Sequence, residues 1–164
     1  MTSSTNSRRT PDPVEHHDSV RDALVEVAEN SFFAFADPLD AEQFDELASA
    51  VPTWLRAQVT FDGAFGGRMT FTVPEQLGQE LFASFLGESP DELADDGRLF
   101  DLVGEFGNMV CGSWLTRTCQ RRRFDLQHPE VQRMEGLGEF EPSANLLVSV
   151  NGQPVALSLA FSGH

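Results

Sequence analysis

The segment from residue 95 to residue 118, DDGRLFDLVGEFGNMVCGSWLTRT, predicts one long helix around which the rest of the chain is organised. Asp95 and Asp96 are good N-cap candidates, because their carboxylates suit the positive end of the helix dipole. With about 100° between successive residues, the apolar side chains fall on one broad arc. That arc holds Leu99, Leu102, Val103, Phe106, Met109, Val110 and Trp114. We therefore predict that this face packs against the core.

A narrow polar stripe lies on the other side of the same helix. It consists of Asp101, Glu105, Asn108 and Gly112, at spacings i, i+4, i+7 and i+11. The three polar side chains can point at one target, and Gly112 leaves a place where another backbone can come close. The helix keeps several glycines although each costs about 1 kcal/mol relative to alanine. A helix that keeps them is expected to pack tightly or to be approached closely.

The sequence Glu105-Phe-Gly-Asn108, with Asp101 one turn earlier, resembles the D/S-x3-E-x2-N signature of the CheC, CheX and FliY chemotaxis phosphatases. Proteins of this family remove phosphate from the aspartyl phosphate of CheY-type response regulators. The run GEFGNMVCG is most similar to the CheX branch, which retains a single active helix of this kind. The family pattern also places a proline downstream, and Pro129 lies near that position at a slightly shorter spacing.

The resemblance implies a role for each residue of the stripe. Asn108 is expected to orient the attacking water, since an amide oxygen accepts a proton from water in a fixed geometry, as glutamine does in small GTPases. Glu105 is expected to pair with a lysine of the regulator, Asp101 to add a rim contact and Gly112 to permit close approach. The resemblance implies no metal or cofactor of the chain's own, because the response regulator supplies Mg²⁺. It also implies a possible homodimer through sheet edges.

The predicted function is hydrolysis of the aspartyl phosphate of a CheY-like receiver domain, in chemotaxis or a related two-component pathway. The alternative is a non-catalytic adaptor that binds a receiver domain, or a flagellar or signalling partner, through the same helix. A third option is a structural interaction domain without a receiver partner, in which the stripe is an ordinary solvated face. Loss of Asn108 separates the first two options, because hydrolysis needs the amide and an adaptor tolerates its removal.

Composition limits the other possibilities. The net charge of −15 argues against nucleic acid and anionic membrane surfaces as partners. All 11 basic residues are arginine, which excludes the lysine-dependent chemistry of Schiff bases and P-loops. Cys111 and Cys119 lie about 12 Å apart on a helix of 1.5 Å rise per residue, too far to form a disulfide. Reduced thiols, the lack of a signal peptide and the lack of a long apolar run predict a cytoplasmic protein.

Other ionisable residues give weaker signals. His16 and His17 suggest phosphotransfer, but a solvated pair is the simpler interpretation, and His128 and His164 are isolated in the sequence. The arginines at 121–123 are expected to cap the negative end of the long helix, with anion binding as the minor option. The two cysteines are expected to be small apolar side chains rather than nucleophiles.

The fold class that we predict is α/β (α+β), with an antiparallel sheet packed by long helices. Residues 1–13 are expected to be a disordered tail and residues 14–164 one domain. A first helix is predicted over residues 14–36, with Val20, Leu24, Val27, Ala28, Phe32, Phe33 and Phe35 on its buried side. Asp37-Pro38 is expected to end it. Residues 40–50 are expected to form a short acidic helix or an ordered loop.

Strands are predicted on both sides of two turns. One strand pair surrounds DGAFGG, and the other crosses Asn151-Gly152, a strong hairpin signal. Pro74 is expected to start a third helix that Gly87 ends, and a further strand is predicted near residues 131–134. The two halves therefore resemble each other, each a helix followed by strands that meet at a glycine turn. The first helix carries a degenerate copy of the stripe. Its residues Asp22, Glu26 and Glu29 have the same spacing as Asp101, Glu105 and Asn108.

Overall fold

The protein is described from a computed structural model that covers residues 13–89, 96–119 and 123–162. Residues 1–12 of the predicted tail, the candidate cap Asp95, two of the three clustered arginines and His164 lie outside these ranges. Within the described ranges, no helix is long and apolar enough to cross a membrane.

The described chain forms four α-helices and seven β-strands. In chain order they are α1 (His17–Phe32), β1 (Ala36–Pro38), α2 (Ala41–Ala48), β2 (Trp54–Gly63), β3 (Gly67–Pro74), α3 (Glu75–Leu86), α4 (Asp96–Thr118), β4 (Phe124–Leu126), β5 (Glu130–Met134), β6 (Leu146–Val150) and β7 (Gln153–Phe161). Short 3₁₀ turns precede α1, over Pro13–His16, and β6, over Pro142–Ala144.

All seven strands belong to one antiparallel sheet with the order β1-β6-β7-β3-β2-β4, and β5 pairs with β2 on the same edge as β4. The two predicted hairpins, β2–β3 and β6–β7, meet where β3 pairs with β7. The first strand of each half pairs with the hairpin of the other half, since β1 pairs with β6 while β4 and β5 pair with β2. The two halves are therefore arranged alike in the sheet.

The helices divide between the two faces of the sheet. α1, α3 and α4 cover one face, where alternate residues of β2, such as Leu55, Val59 and Phe61, are fully buried beneath them. α2 covers part of the other face, where Phe44 stacks on Trp54 with ring centroids 6.3 Å apart. The larger core therefore lies between the sheet and the layer that contains the long helix.

The long helix α4 confirms the central prediction. Of its predicted apolar arc, Leu99, Val103, Phe106, Val110 and Trp114 are buried, while Leu102 and Met109 are half-buried. The arc is wider than predicted, because two glycines, Cys111 and Leu115 are buried too. α4 ends at Thr118, so Cys119 lies just beyond the helix rather than on it.

Gly107 shows why α4 keeps glycine in its interior. A β-carbon at this position would lie 3.1 Å from Cγ2 of Val59 in β2 and 3.3 Å from the ring of Phe71 in β3. The lack of a side chain therefore lets the helix axis come close to the sheet. The predicted tight packing of this glycine is confirmed.

The prediction for the C-terminal end of the first helix is wrong. α1 ends at Phe32, because Phe33 adopts a left-handed conformation with φ of 53° and its N–H caps the helix at the carbonyl of Ala28. The side chains of Phe33 and Phe35 are therefore 81% and 74% exposed instead of buried. The chain then enters β1, a strand that the sequence analysis missed. The side chain of Asn151 fixes the chain just before β1, because it accepts a hydrogen bond of 2.9 Å from the Phe35 N–H.

The remaining elements lie close to their predicted positions. Residues 40–50 contain a true helix, α2, and Asp40 begins it with a complete capping box to Gln43. Pro74 is the last residue of β3 and the N-cap of α3, so it lies one position before the first helical residue. Gly87 ends α3 with φ of 69°, in agreement with the prediction.

Candidate functional site

A surface groove runs beside the first half of α4. It has a volume of about 410 Å³ and is lined by Phe100, Asp101, Glu105, Asn108, His128, Pro129 and Val131. Helix α4 forms one wall, and the loop between β4 and β5 with the start of β5 forms the other. We call this feature the α4 groove. It brings together the three polar residues of the predicted stripe.

Helix α4 is fixed at its N-terminal end by Arg133 of β5. The Arg133 guanidinium donates hydrogen bonds to both carboxylate oxygens of Asp96, at 2.9 and 2.6 Å, and also binds Glu75 at the first position of α3. The hydrogen bond from Arg133 is the main reason why the pKa of Asp96 is lowered. Arg133 also lies over the Phe100 ring, 5.4 Å from its centroid. One arginine therefore joins two helix N-termini to a strand.

Helix α1 fixes the C-terminal half of α4. The indole N–H of Trp114 donates a 3.0 Å hydrogen bond to Oγ of Ser19, which in turn donates to the carbonyl of His16. Trp114 is fully buried, so this bond satisfies its one polar atom. Arg117 forms an ion pair with Glu26 of α1. The helix that carries the stripe is therefore bound to the rest of the fold at both ends.

The opposite wall packs directly onto the α4 backbone. A β-carbon at Gly104 would lie 2.8 Å from Cγ of Pro129 and 3.5 Å from Cγ2 of Val131. Two turns later, a β-carbon at Gly112 would lie 3.8 Å from Cδ1 of Leu126. The β4–β5 loop therefore runs antiparallel to α4, from beside Gly112 back to Gly104. Pro129, which the sequence singles out, contacts the helix next to Glu105.

Asn108 differs from the other polar residues of the stripe. Its side chain is half-buried, and its Oδ1 atom is buried without a hydrogen-bond partner among the described residues. A buried carbonyl oxygen without a partner costs about 1–3 kcal/mol. The terminal torsion of asparagine has a broad, shallow energy profile. The amide can therefore turn towards the groove without breaking a hydrogen bond to the described part of the chain.

Asp101 and Glu105 are exposed along the groove, and neither forms an ion pair with another described residue. They are free to pair with cationic groups of a partner. Gly112, the fourth residue of the stripe, is half-buried one turn beyond the groove and does not line it. A side chain as small as alanine fits there, because the nearest neighbouring atom is at ordinary contact distance.

His128 is the polar residue of the groove that was not predicted from the sequence, and the apolar residues Phe100 and Val131 line the groove as well. His128 lines the wall that faces α4. In the sequence His128 is isolated from the other candidate residues. It reaches the groove because the β4–β5 loop runs back along α4. His128 directly precedes Pro129, the proline of the family pattern. This adjacency was the one signal in the sequence that pointed to His128.

The other candidate nucleophiles and ligands do not form a second centre. Cys111 is fully buried, and burial raises the pKa of its thiol to about 12, so it remains a neutral thiol. Among the described residues, no group of three or more histidine, cysteine, aspartate or glutamate side chains is placed to hold a metal ion.

The degenerate copy of the stripe on α1 lacks the features of the stripe on α4. Asp22, Glu26 and Glu29 are exposed on that helix, and Glu26 already pairs with Arg117 of α4. Glutamate stands at the position that corresponds to Asn108, so the first half lacks the amide. The site residues therefore converge on α4 alone.

Comparison with known proteins places the chain in a family. The family profile described as "Chemotaxis phosphatase CheX" matches residues 55–145, which is more than half of the chain. The chain belongs to the CheX family. The matched region contains the hairpin β2–β3 except for Trp54, the whole of α4 and the loop with His128 and Pro129. A search of curated proteins finds no significant sequence match.

Solved CheX structures share the fold. The chemotaxis protein CheX from Vibrio vulnificus is 20% identical, covers 88% of this chain and 95% of its own, and superposes with a TM-score of 0.66. A CheX from Desulfovibrio desulfuricans is 16% identical over 90% of this chain and 99% of its own, with a TM-score of 0.66. A CheX–CheY–BeF₃–Mg²⁺ complex from Borrelia burgdorferi matches at 14% identity, 92% and 99% coverage and a TM-score of 0.61.

Proposed function

We propose that this CheX-family protein is a phosphatase that hydrolyses the aspartyl phosphate of a CheY-like receiver domain. The observation that carries the proposal is the placement of Asn108. Asn108 lines the α4 groove beside Glu105, and its buried amide oxygen, which has no hydrogen-bond partner in the described chain, can turn towards the groove. The Borrelia relative that forms a complex with CheY, BeF₃ and Mg²⁺ supports the partner class. Receiver domains of this class act in the cytoplasm, which is where we place the reaction.

The reaction needs positioning more than a new nucleophile. An aspartyl phosphate is an acyl phosphate, and its hydrolysis requires a water in line with the bond that breaks. The water oxygen bonds to phosphorus, and the bond between phosphorus and the aspartyl oxygen breaks with its electron pair on the carboxylate. The protons of the water remain on the released phosphate. Asn108 accepts a hydrogen bond from this water through Oδ1 and holds it in line.

The other stripe residues bind the partner in this proposal. Glu105 is exposed and unpaired within the described chain, so its carboxylate can meet the lysine beside the phosphoryl group of the receiver. Asp101 lies one turn earlier and adds a contact at the rim. Gly112 presents bare backbone beyond the groove, where a partner segment can approach. In this proposal the receiver would supply Mg²⁺, which would neutralise the developing charge, and no cofactor of this chain's own would be needed.

The function is tested by phosphate release from a panel of phosphorylated CheY-like receivers of the source organism. We expect the wild-type protein to accelerate the loss of phosphate from one of them and Asn108→Ala to remove the acceleration. Asn30→Ala is the matched control, because Asn30 is exposed at the end of α1, away from the groove. Binding of a receiver without accelerated hydrolysis would instead identify the protein as an adaptor. Binding of none of the receivers would contradict both functions.

A further inference from the structure

We infer that His128 is a further binding residue of the α4 groove and donates a hydrogen bond to the phosphoryl group of the phosphorylated partner. The inference rests on the proposed function. Its first support is position: His128 lines the groove that also holds Asp101, Glu105 and Asn108, and its side chain is exposed. A ligand that fills this groove against Asn108 meets the opposite wall at His128.

The β4–β5 loop holds His128 in register with α4. On one side, the backbone N–H of Gln127 donates a 2.9 Å hydrogen bond to the Thr60 carbonyl in β2. On the other side, Pro129 packs on the bare backbone of Gly104. Leu126 lies nearest to Gly112, so the residues between Leu126 and Pro129 run alongside residues 105–111 of the helix. The backbone at His128 is therefore held opposite the part of α4 that carries Glu105 and Asn108.

The side chain of Gln127 binds the edge of the sheet and does not occupy the groove next to His128. The Gln127 amide donates a 3.2 Å hydrogen bond to Oδ2 of Asp62, at the end of β2, and Gln127 does not line the groove. Of the two polar side chains at the centre of the loop, one is directed to the sheet edge and the other, His128, lines the groove. The loop thus presents a single polar side chain to a bound ligand.

Charge explains why a donor is needed at this position. The charged carboxylates that line the groove are Asp101 and Glu105, and a phosphoryl group adds roughly two further negative charges. Imidazole provides an N–H donor in either protonation state and a positive charge when protonated. Its hydrogen bond to a phosphoryl oxygen would offset part of the repulsion from the stripe. His128 would therefore distinguish the phosphorylated partner from the unmodified one.

The test compares binding of two forms of the cognate receiver, one with Mg²⁺ alone and one with Mg²⁺ and BeF₃⁻ as a phosphoryl mimic. We expect His128→Ala to weaken binding of the BeF₃⁻ form by about tenfold to a hundredfold, the range for a hydrogen bond to a charged group. Binding of the unmodified form should not change. His128→Gln keeps an N–H donor and should restore most of the affinity. Gln132→Ala, exposed on β5 outside the groove, should match the wild type.

Two results would overturn the inference. Wild-type affinity of His128→Ala for both forms would show that the imidazole does not contact the partner. An equal loss for both forms would show a contact with the receiver surface instead of the phosphoryl group. If the wild type binds the BeF₃⁻ form but does not accelerate hydrolysis, the phosphatase proposal fails while the binding data still decide the role of His128. If the wild type binds neither form, both proposals fail.

Discussion

Gly104 and Pro129 contact each other so closely that a β-carbon on the glycine would lie 2.8 Å from Cγ of the proline. This contact sets the distance between the two walls of the α4 groove. The proline ring is part of a constrained backbone and cannot move aside as the end of a flexible side chain does. The groove geometry therefore depends on a missing side chain next to Glu105.

We predict that Gly104→Ala displaces the β4–β5 loop and disturbs the groove. Overpacking of this kind costs about 1–3 kcal/mol, more than the ~1 kcal/mol gained from the higher helix propensity of alanine. Chemical denaturation should show a lower free energy of unfolding, and the same variant should release phosphate more slowly. Unchanged stability together with unchanged activity would show that the loop position does not matter.

Gly112→Ala is the matched substitution on the same helix. Its new β-carbon would meet only Cδ1 of Leu126 at 3.8 Å, so we expect the free energy of unfolding to stay the same or to rise by up to ~1 kcal/mol. If a partner backbone comes close at this position, the variant binds the receiver more weakly although it is fully folded. Titration of the receiver against both glycine variants measures the difference. Full receiver affinity would remove Gly112 from the binding surface.

We predict that the ion-pair network of Arg133 contributes to stability in a pH-dependent way. The hydrogen bond and charge of Arg133 lower the pKa of Asp96 from its ordinary value of 3.8. A lowered carboxyl pKa contributes stability that is complete above the ordinary value and is lost as the pH falls through the lower, folded-state value. Arg133→Gln should therefore lower the melting temperature at pH 7, and the difference from the wild type should shrink as the pH falls below the ordinary carboxyl pKa. A constant difference between wild type and variant across the acid range would contradict this linkage.

The two cysteines should react with a thiol reagent at very different rates. Cys111 is fully buried with its pKa raised to about 12, while Cys119 lies half-buried after the end of α4. At pH 8 we expect alkylation of the folded protein to modify Cys119 first and to reach Cys111 only on unfolding. Peptide mapping after a short exposure identifies the site, with Cys119→Ser as the control. Rapid labelling of Cys111 would show that α4 opens in the folded state.

The sequence was sufficient to predict those elements whose structure depends on residues nearby in the chain. The apolar arc of α4, the Asn151-Gly152 hairpin and the stop at Gly87 depend on neighbours in the chain, and their positions were predicted. The strand β1 was missed because it has only three residues and exists through its pairing with β6, which is more than a hundred residues away. The exposure of Phe35 follows from the early end of α1, where Phe33 adopts a left-handed conformation that the apolar spacing does not predict.

Helical periodicity predicted the site residues of one wall, and the family pattern added Pro129 on the other. Asp101, Glu105 and Asn108 share a helical face, which periodicity reveals directly. His128 comes from a loop that follows the helix, and its place opposite the stripe results from the packing of Pro129 on Gly104. Helical spacing carries no information about such a return of the chain. The roles assigned to the stripe residues stay predictions. The formation of a homodimer also stays a prediction.

The most direct test of the account measures the rate of phosphate loss from the cognate phosphorylated receiver at saturating concentrations of this protein. Three variants are compared with the wild type: Asn108→Ala, Glu105→Ala and the matched control Glu29→Ala, an exposed glutamate on α1. The account predicts that Asn108→Ala binds the receiver but loses about 10²-fold or more of the acceleration, in the range for a positioned catalytic group. Glu105→Ala should weaken binding, and Glu29→Ala should behave as wild type. Full acceleration by Asn108→Ala would show that the Asn108 amide does not position the attacking water.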